Sequence, residues 1–234
     1  MLTVIHSKGD NKMIINKNEF LKKSNETLGE ILDMMAGLPA IQLKDLQAEN
    51  TALIIVDMIN GFVREGALAS KRAEKAIPAI VELSKACDKM QIIKIAFADS
   101  HTSQSPEFGA YPEHCMAGTS ESEVVDEIKE IGGYTLIPKN STNSFHEEEF
   151  QKWLKNNNNV YTFIVTGVCT NICVEQFALT LKTYFNKQNR KSRVIVPKNT
   201  VETYDLGIHN GDLMNVMALY NMIVNGIEVV AGVE

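Results

Sequence analysis

The feature that most constrains this chain is an alternation that begins at residue 51. Short runs of apolar, largely β-branched residues are separated by stretches of helical periodicity. Strands are expected over 52–57, 92–98, 135–138, 161–167, 193–197 and 228–230. Helices are expected over 73–90, 147–156, 172–185 and 212–223. Runs that are apolar along their whole length are buried on both faces, which is the habit of parallel strands. The expected fold class is therefore α/β: a doubly wound, mainly parallel sheet of about six strands with helices on both faces. Ligands in such sheets bind beyond the carboxyl ends of the strands. Asp57, Asp99, Lys139 and the segment after Gly167 all stand where an expected strand ends.

Residues 1–50 read differently and are expected to form an N-terminal helical arm on a 51–234 domain. Phe20, Leu21, Leu28, Ile31, Leu32 and Met35 make a helical stripe over 20–35, and Gly37-Leu38-Pro39 closes it. Such an arm packs on its own domain or on a neighbouring subunit. The chain has 234 residues, with 23 basic against 29 acidic side chains and a net charge of −6. That balance argues against a general nucleic-acid or anionic-membrane binder. The apolar runs, such as 52–56, are too short to span a bilayer. The first residues carry His6, Lys8 and Asp10 with no apolar stretch behind them, so no secretory leader is expected. Cys87, Cys115, Cys169 and Cys173 are too sparse for a disulfide scaffold, and a reducing cytoplasm is the expectation.

Cys173 is the first candidate for chemistry. It opens an expected helix, where the helix dipole favours a thiolate and free N–H groups can meet an oxyanion. Free cysteine is more often a small buried hydrophobe. The Cys169–Cys173 spacing is not that of a C-x-x-C redox pair. Asp57 is either a general base or a cap of the Asn60-Gly61 turn. Lys139 alone reads as a solvated lysine. Together the three resemble an acyl-transfer set of thiol, proton acceptor and cation. A second constellation lies between residues 99 and 114: Asp99, His101, Glu107 and His114. Asp99 and His101 share one side of an extended segment. Two His and two carboxylates can ligate Zn, Mn or Fe(II). His6, His146 and His209 read as surface or capping residues.

Three blocks in this order resemble the isochorismatase-like cysteine hydrolase superfamily over residues 51–231, and within it the nicotinamidases. Ile54-Ile55-Val56-Asp57-Met58-Ile59-Asn60-Gly61-Phe62 resembles the block of the catalytic aspartate. Ile137-Pro138-Lys139 carries the family lysine. Val165-Thr166-Gly167-Val168-Cys169-Thr170-Asn171-Ile172-Cys173-Val174 resembles the nucleophile block. Phe97-Ala98-Asp99-Ser100-His101 and Tyr111-Pro112-Glu113-His114-Cys115-Met116-Ala117-Gly118-Thr119 resemble the metal block that marks nicotinamidases. Tyr111 stands where tryptophan is common. Glu107 falls at a ligand position that is His in many members and Glu in some.

The resemblance implies hydrolysis of nicotinamide to nicotinate and ammonia through a Cys173 thioester. It assigns Asp57, Lys139 and Cys173 to catalysis. Phe62 and Tyr111 would flank the substrate ring, and Val168 and Cys169 would belong to the substrate and oxyanion site, with a cis bond before Cys169. One divalent metal ion on Asp99, His101, Glu107 and His114 would orient the ring. A homo-oligomer acting on a small-molecule amide, with no nucleic-acid or membrane partner, is the accompanying expectation. The alternatives are a related amidase for another small amide or carbamoyl compound, and a non-catalytic binding module on the same fold.

Overall fold

The computed structural model describes residues 15–234. His6 and its neighbours lie outside the described residues. The elements in chain order are α1 (Lys17–Ala36), β1 (Thr51–Val56), α2 (Asn60–Val63), α3 (Lys71–Glu74), α4 (Ile77–Lys89), β2 (Ile93–Asp99) and α5 (Asp126–Ile131). They continue with β3 (Tyr134–Lys139), α6 (Glu148–Asn156), β4 (Thr162–Val168), α7 (Glu175–Lys187), β5 (Arg193–Pro197), β6 (Val201–Glu202), α8 (Gly211–Val224) and β7 (Glu228–Val230).

The apolar runs become strands because each of their faces finds a helical layer. In β1, Ala52, Ile54 and Val56 pack toward α1, α6, α7 and α8. Leu53 and Ile55 pack toward α2, α3, α4 and α5. Strand order is β3-β2-β1-β4-β5-β7, with β6 paired to the end of β4, and every pairing is parallel. The expected α/β sandwich is therefore present. The sheet has seven strands rather than about six. The addition is β6, whose two residues are too few to show a pattern in the sequence.

Two helical expectations change. The 73–90 helix is two helices, α3 and α4. Pro78 has no N–H to give and sits in the first turn of α4, so the helix restarts there. The helix expected from residue 172 begins as a π-helical turn at Thr170–Val174 before α7. The short α2 and α5 were not anticipated.

The N-terminal helix forms as expected and packs on the domain. Asn16 caps it by accepting the N–H groups of Asn18 and Glu19. Ile31 and Met35 enter the core, while Phe20, Leu21 and Leu32 stay exposed. Lys198 Nζ donates to Met35 O at 2.6 Å. Residues 39–43 then run beside the C-terminal residues, with Ile41 N–H on Gly232 O at 3.0 Å and Glu234 N–H on Ile41 O at 2.9 Å. Among the described residues no helix is long and apolar enough to cross a membrane.

One glycine fixes how closely the two central strands approach. Gly167, at φ +112°, pairs with Val56, and a Cβ there would lie 1.9 Å from Val56 O. Gly167→Ala is expected to cost about 3 kcal/mol or more from overpacking plus positive-φ strain. A thermal melt within a degree of the parent would refute this.

Candidate active site

The chain turns back across the sheet between β1 and β4, since β2 and β3 lie on one side of β1 and β5 and β7 on the other. This is the switch point where a cleft opens at the strand ends. In-register pairing sets Asp99 of β2 beside Lys139 of β3. Asp57 follows β1 at φ +52°. The segment after β4 crosses above them.

Lys139 is the hub. Its side chain is fully buried, and Nζ lies 2.8 Å from Asp57 Oδ2 and 2.5 Å from Asp99 Oδ1. It donates to Ser141 O at 3.0 Å and stands 3.7 Å from Cys173 Sγ. The solvated-lysine reading therefore fails. Asp57 Oδ1 accepts the Asp99 N–H at 3.0 Å, so Asp57 is not a cap of the following turn. Atoms of Asp57, Asp99 and Cys173 lie within 4.8 Å of one another. Burial, reinforced by the Asp99 charge, pushes Asp57 up to about 7 against the pull of Lys139. A carboxylate poised there exchanges protons readily at neutral pH. Burial would depress Lys139, but Asp57, Asp99 and Cys173 outweigh it and keep it cationic.

Cys173 sits in the π-helical turn ahead of α7, where Val174 N–H reaches back to Cys169 O at 3.2 Å. The turn re-aims the thiol toward Lys139. Burial raises its pKa well above the ordinary thiol value, against the attraction of Lys139. In the resting protein it is thus a thiol, and the helix N-terminus alone does not ionise it. The bond between Val168 and Cys169 is cis. The Val168 side chain is fully buried in the core and does not line the cavity.

The second constellation also assembles. Ligating atoms of Asp99, His101 and His114 lie within 4.8 Å of one another. His101 Nδ1 donates to Asn140 Oδ1 at 3.0 Å, and His114 Nδ1 donates to Pro112 O at 2.8 Å. Those bonds leave each Nε2 with a free lone pair facing the centre, the arrangement that metal-binding histidines use. Glu107 reaches the same centre. Its Oε1 accepts the Thr142 N–H at 2.7 Å, and its Oε2 lies 3.8 Å from His101 Nε2. Both Glu107 Oε2 and His101 Nε2 are buried without a hydrogen-bond partner among the described residues. Buried orphans of this kind need an explanation, and a cation between them supplies one. Burial works against protonating His101, yet Asp99 and Glu107 hold its pKa above the ordinary value. The centre is electronegative and fits a divalent ion. Asp99 belongs to both constellations.

The two meet in one cavity. Phe62, Tyr111, Asp99, Glu107, His114, Cys169 and Cys173 line it. Leu68, Thr142, Ile172 and Tyr204 line it too and were not anticipated. Tyr204 follows β6, so the strand-end rule would have reached it had that strand been visible. Phe62 lies 5.7 Å and Tyr111 6.1 Å from the His114 ring, centre to centre. His146 is exposed, as expected. His209 is not a surface residue: it is half-buried and stacked on Tyr204. A larger open groove between α4 and α5 lies apart from these strand ends and from every residue just named.

Known proteins resemble this chain over most of its length. The isochorismatase domain matches residues 51–225. The chain belongs to the isochorismatase family. It is 32% identical to nicotinamidase 1 of Arabidopsis thaliana over 179 residues, which is 68% of this chain and 72% of that protein. A pyrazinamidase of Pyrococcus horikoshii, solved in complex with zinc, superposes with a TM-score of 0.64. It is 25% identical and covers 77% of this chain and 98% of its own. N-carbamoylsarcosine amidase of Thermoplasma acidophilum superposes at 0.63, with 26% identity over 77% and 95% of the two chains. Within the family the chain is a nicotinamidase-like cysteine amidohydrolase.

Proposed function

We propose that this isochorismatase-family hydrolase converts nicotinamide to nicotinate and ammonia through a thioester on Cys173. The observation that carries the choice of substrate is the orphaned pair His101 Nε2 and Glu107 Oε2, beside the cavity that Glu107 and Cys173 both line. A divalent ion, whether Zn, Mn or Fe(II), would be held there by Asp99, His101, Glu107 and His114 and would supply a Lewis-acid point for the pyridine nitrogen.

The chain's own residues do the rest. Phe62 and Tyr111 confine the ring. Asp57 takes the Cys173 proton as sulfur attacks the carboxamide carbon. Backbone N–H groups of Cys169 and Cys173 receive the oxyanion. The C–N bond breaks as Asp57 returns that proton to departing ammonia. Water then adds to the thioester, giving one proton to Asp57, and the acid leaves as the thiol is restored. Lys139 stays cationic throughout and keeps Asp57 and the sulfur in reach of each other.

Residues 51–234 carry this machinery as the catalytic domain, and the described part of the N-terminal arm, residues 15–50, supports it from outside the cavity. A cytoplasmic homo-oligomer is the accompanying proposal. The exposed Phe20 and Leu21 of α1 and Met217 and Val224 of α8 favour self-association. Gel filtration of the full chain at monomer size would count against it.

Ammonia release from nicotinamide, beside N-carbamoylsarcosine and a panel of small amides, tests the central reading. A kcat/KM for nicotinamide at least about 100-fold above the carbamoyl compound is expected, the scale of discrimination for a shaped pocket. Turnover of the carbamoyl compound alone would move the substrate to the related amidases. A folded, metal-loaded protein with no turnover and an inert Cys173 would favour a binding module.

A further inference from the structure

Tyr204 lines two cavities at once. One is the active-site cavity, of about 30 Å³. The other is a neighbouring cleft of about 80 Å³, lined by Ala67, Ser70, Asp205 and Leu206. Leu68 is the other residue common to both. These two residues therefore stand between the cavities.

That ring is held by a stacking partner and by the hydrogen bonds of its loop. Its face stacks on His209, with ring centres 4.0 Å apart and planes at 11°. His209 is itself locked on both sides. Its Nδ1 donates to Tyr204 O at 2.9 Å, and its Nε2 accepts from Asn171 Nδ2 at 3.1 Å. Asn171 Oδ1 accepts from Thr203 Oγ1 at 2.7 Å. Asn171 lies in the same π-helical turn as Cys173. Arg72 anchors the loop from the other side, donating to Thr203 O at 3.1 Å and to Asp205 at 3.2 Å. The wall is thus tied to the turn that carries the nucleophile.

We propose that Tyr204 is the size-determining residue of this site: with Leu68 it seals the ring cavity from the outer cleft and restricts the amide to a single small ring. His209 is its positioning residue. The choice of an aromatic amide rests on the function proposed above, whereas the partition itself does not. Without the tyrosine ring the two cavities merge beside Cys173, and a fused two-ring amide gains room to enter.

The test reads the partition in two ways. Cys173 is alkylated with iodoacetamide and with the bulkier N-phenylmaleimide, and labelling is assigned to Cys173 by peptide fragmentation. Tyr204→Ala is expected to raise the maleimide rate about tenfold relative to iodoacetamide, on the scale by which pocket shape discriminates. His209→Ala moves the ratio the same way. Tyr204→Phe, which keeps the ring, restores the parental ratio. Ile208→Ser, at the exposed loop tip, leaves it unchanged. A parental ratio in Tyr204→Ala overturns the proposal. If that variant fails to fold, a parental ratio in His209→Ala overturns it instead. In parallel, kcat/KM for nicotinamide against quinoline-3-carboxamide is expected to shift about tenfold toward the larger amide in Tyr204→Ala. A shifted labelling ratio with no turnover of either amide would sink the nicotinamide reading and keep the partition.

Discussion

Cys173→Ala is expected to lower ammonia release from nicotinamide by at least about 10⁴-fold, the scale seen when a nucleophile is removed from a set that acts as a unit. The variant is a clean probe because it changes little else. Cys173 is 4% exposed and adjoins the core, so losing one sulfur leaves only a small void. Lys139 keeps its partners at Asp57 and Asp99, so no buried charge is stranded. Lys139→Ala would not be clean in this way. It leaves two buried carboxylates facing each other, a change that costs about 3–5 kcal/mol when one partner of a buried pair is lost. Asp57→Asn is the informative companion. It keeps the shape and the bond from Asp99 N–H but removes the group placed to take the Cys173 proton. A Cys173→Ala protein with a parental melt and a rate within tenfold of the parent would end the thioester mechanism.

Much of this was legible because it depends on patterns that survive without coordinates. Burial on both faces makes a strand apolar throughout, so the runs containing Ile54, Phe97 and Val165 announced a parallel sheet. The strand-end rule then selected Asp57, Asp99 and Lys139, and the structure gathers all three. What the sequence hid depends on chain reversal. A two-residue strand has no period, so β6 and the loop behind it were invisible, and Tyr204 and His209 with them. His209 reads as an ordinary loop histidine until Asn171, far away along the chain, accepts it as a partner. The break between α3 and α4 was written in Pro78, yet the apolar stripe on both sides masked it. The resting state of Cys173 was hidden for another reason. Helix position favours the thiolate, and burial opposes it more strongly, a balance that needs the depth of the site.

Removing the metal is expected to separate the two constellations that Asp99 joins. The purified protein should hold about one divalent ion per chain, read by elemental analysis, in keeping with the one centre proposed on Asp99, His101, Glu107 and His114. His101→Ala and Glu107→Gln should each lower that stoichiometry and reduce kcat/KM by about 100-fold or more, beyond the loss usual for a residue that only supports a ligand. Cys173→Ala should keep the full complement, because sulfur is not among the donors facing His101 and His114. Asp99 is the exception that makes the test sharp. Its Oδ1 holds Lys139 at 2.5 Å, while Oδ2 lies 4.0 Å from His114 Nε2. Asp99→Asn should therefore lose the ion and also loosen Lys139 from Asp57, so that added metal restores less activity than it does to a chelated parent. If chelation leaves turnover intact while His101→Ala abolishes it, the cluster is a hydrogen-bonded wall of the pocket and not a metal centre. If added metal rescues Asp99→Asn fully, the two constellations are neighbours that share a residue without sharing a function.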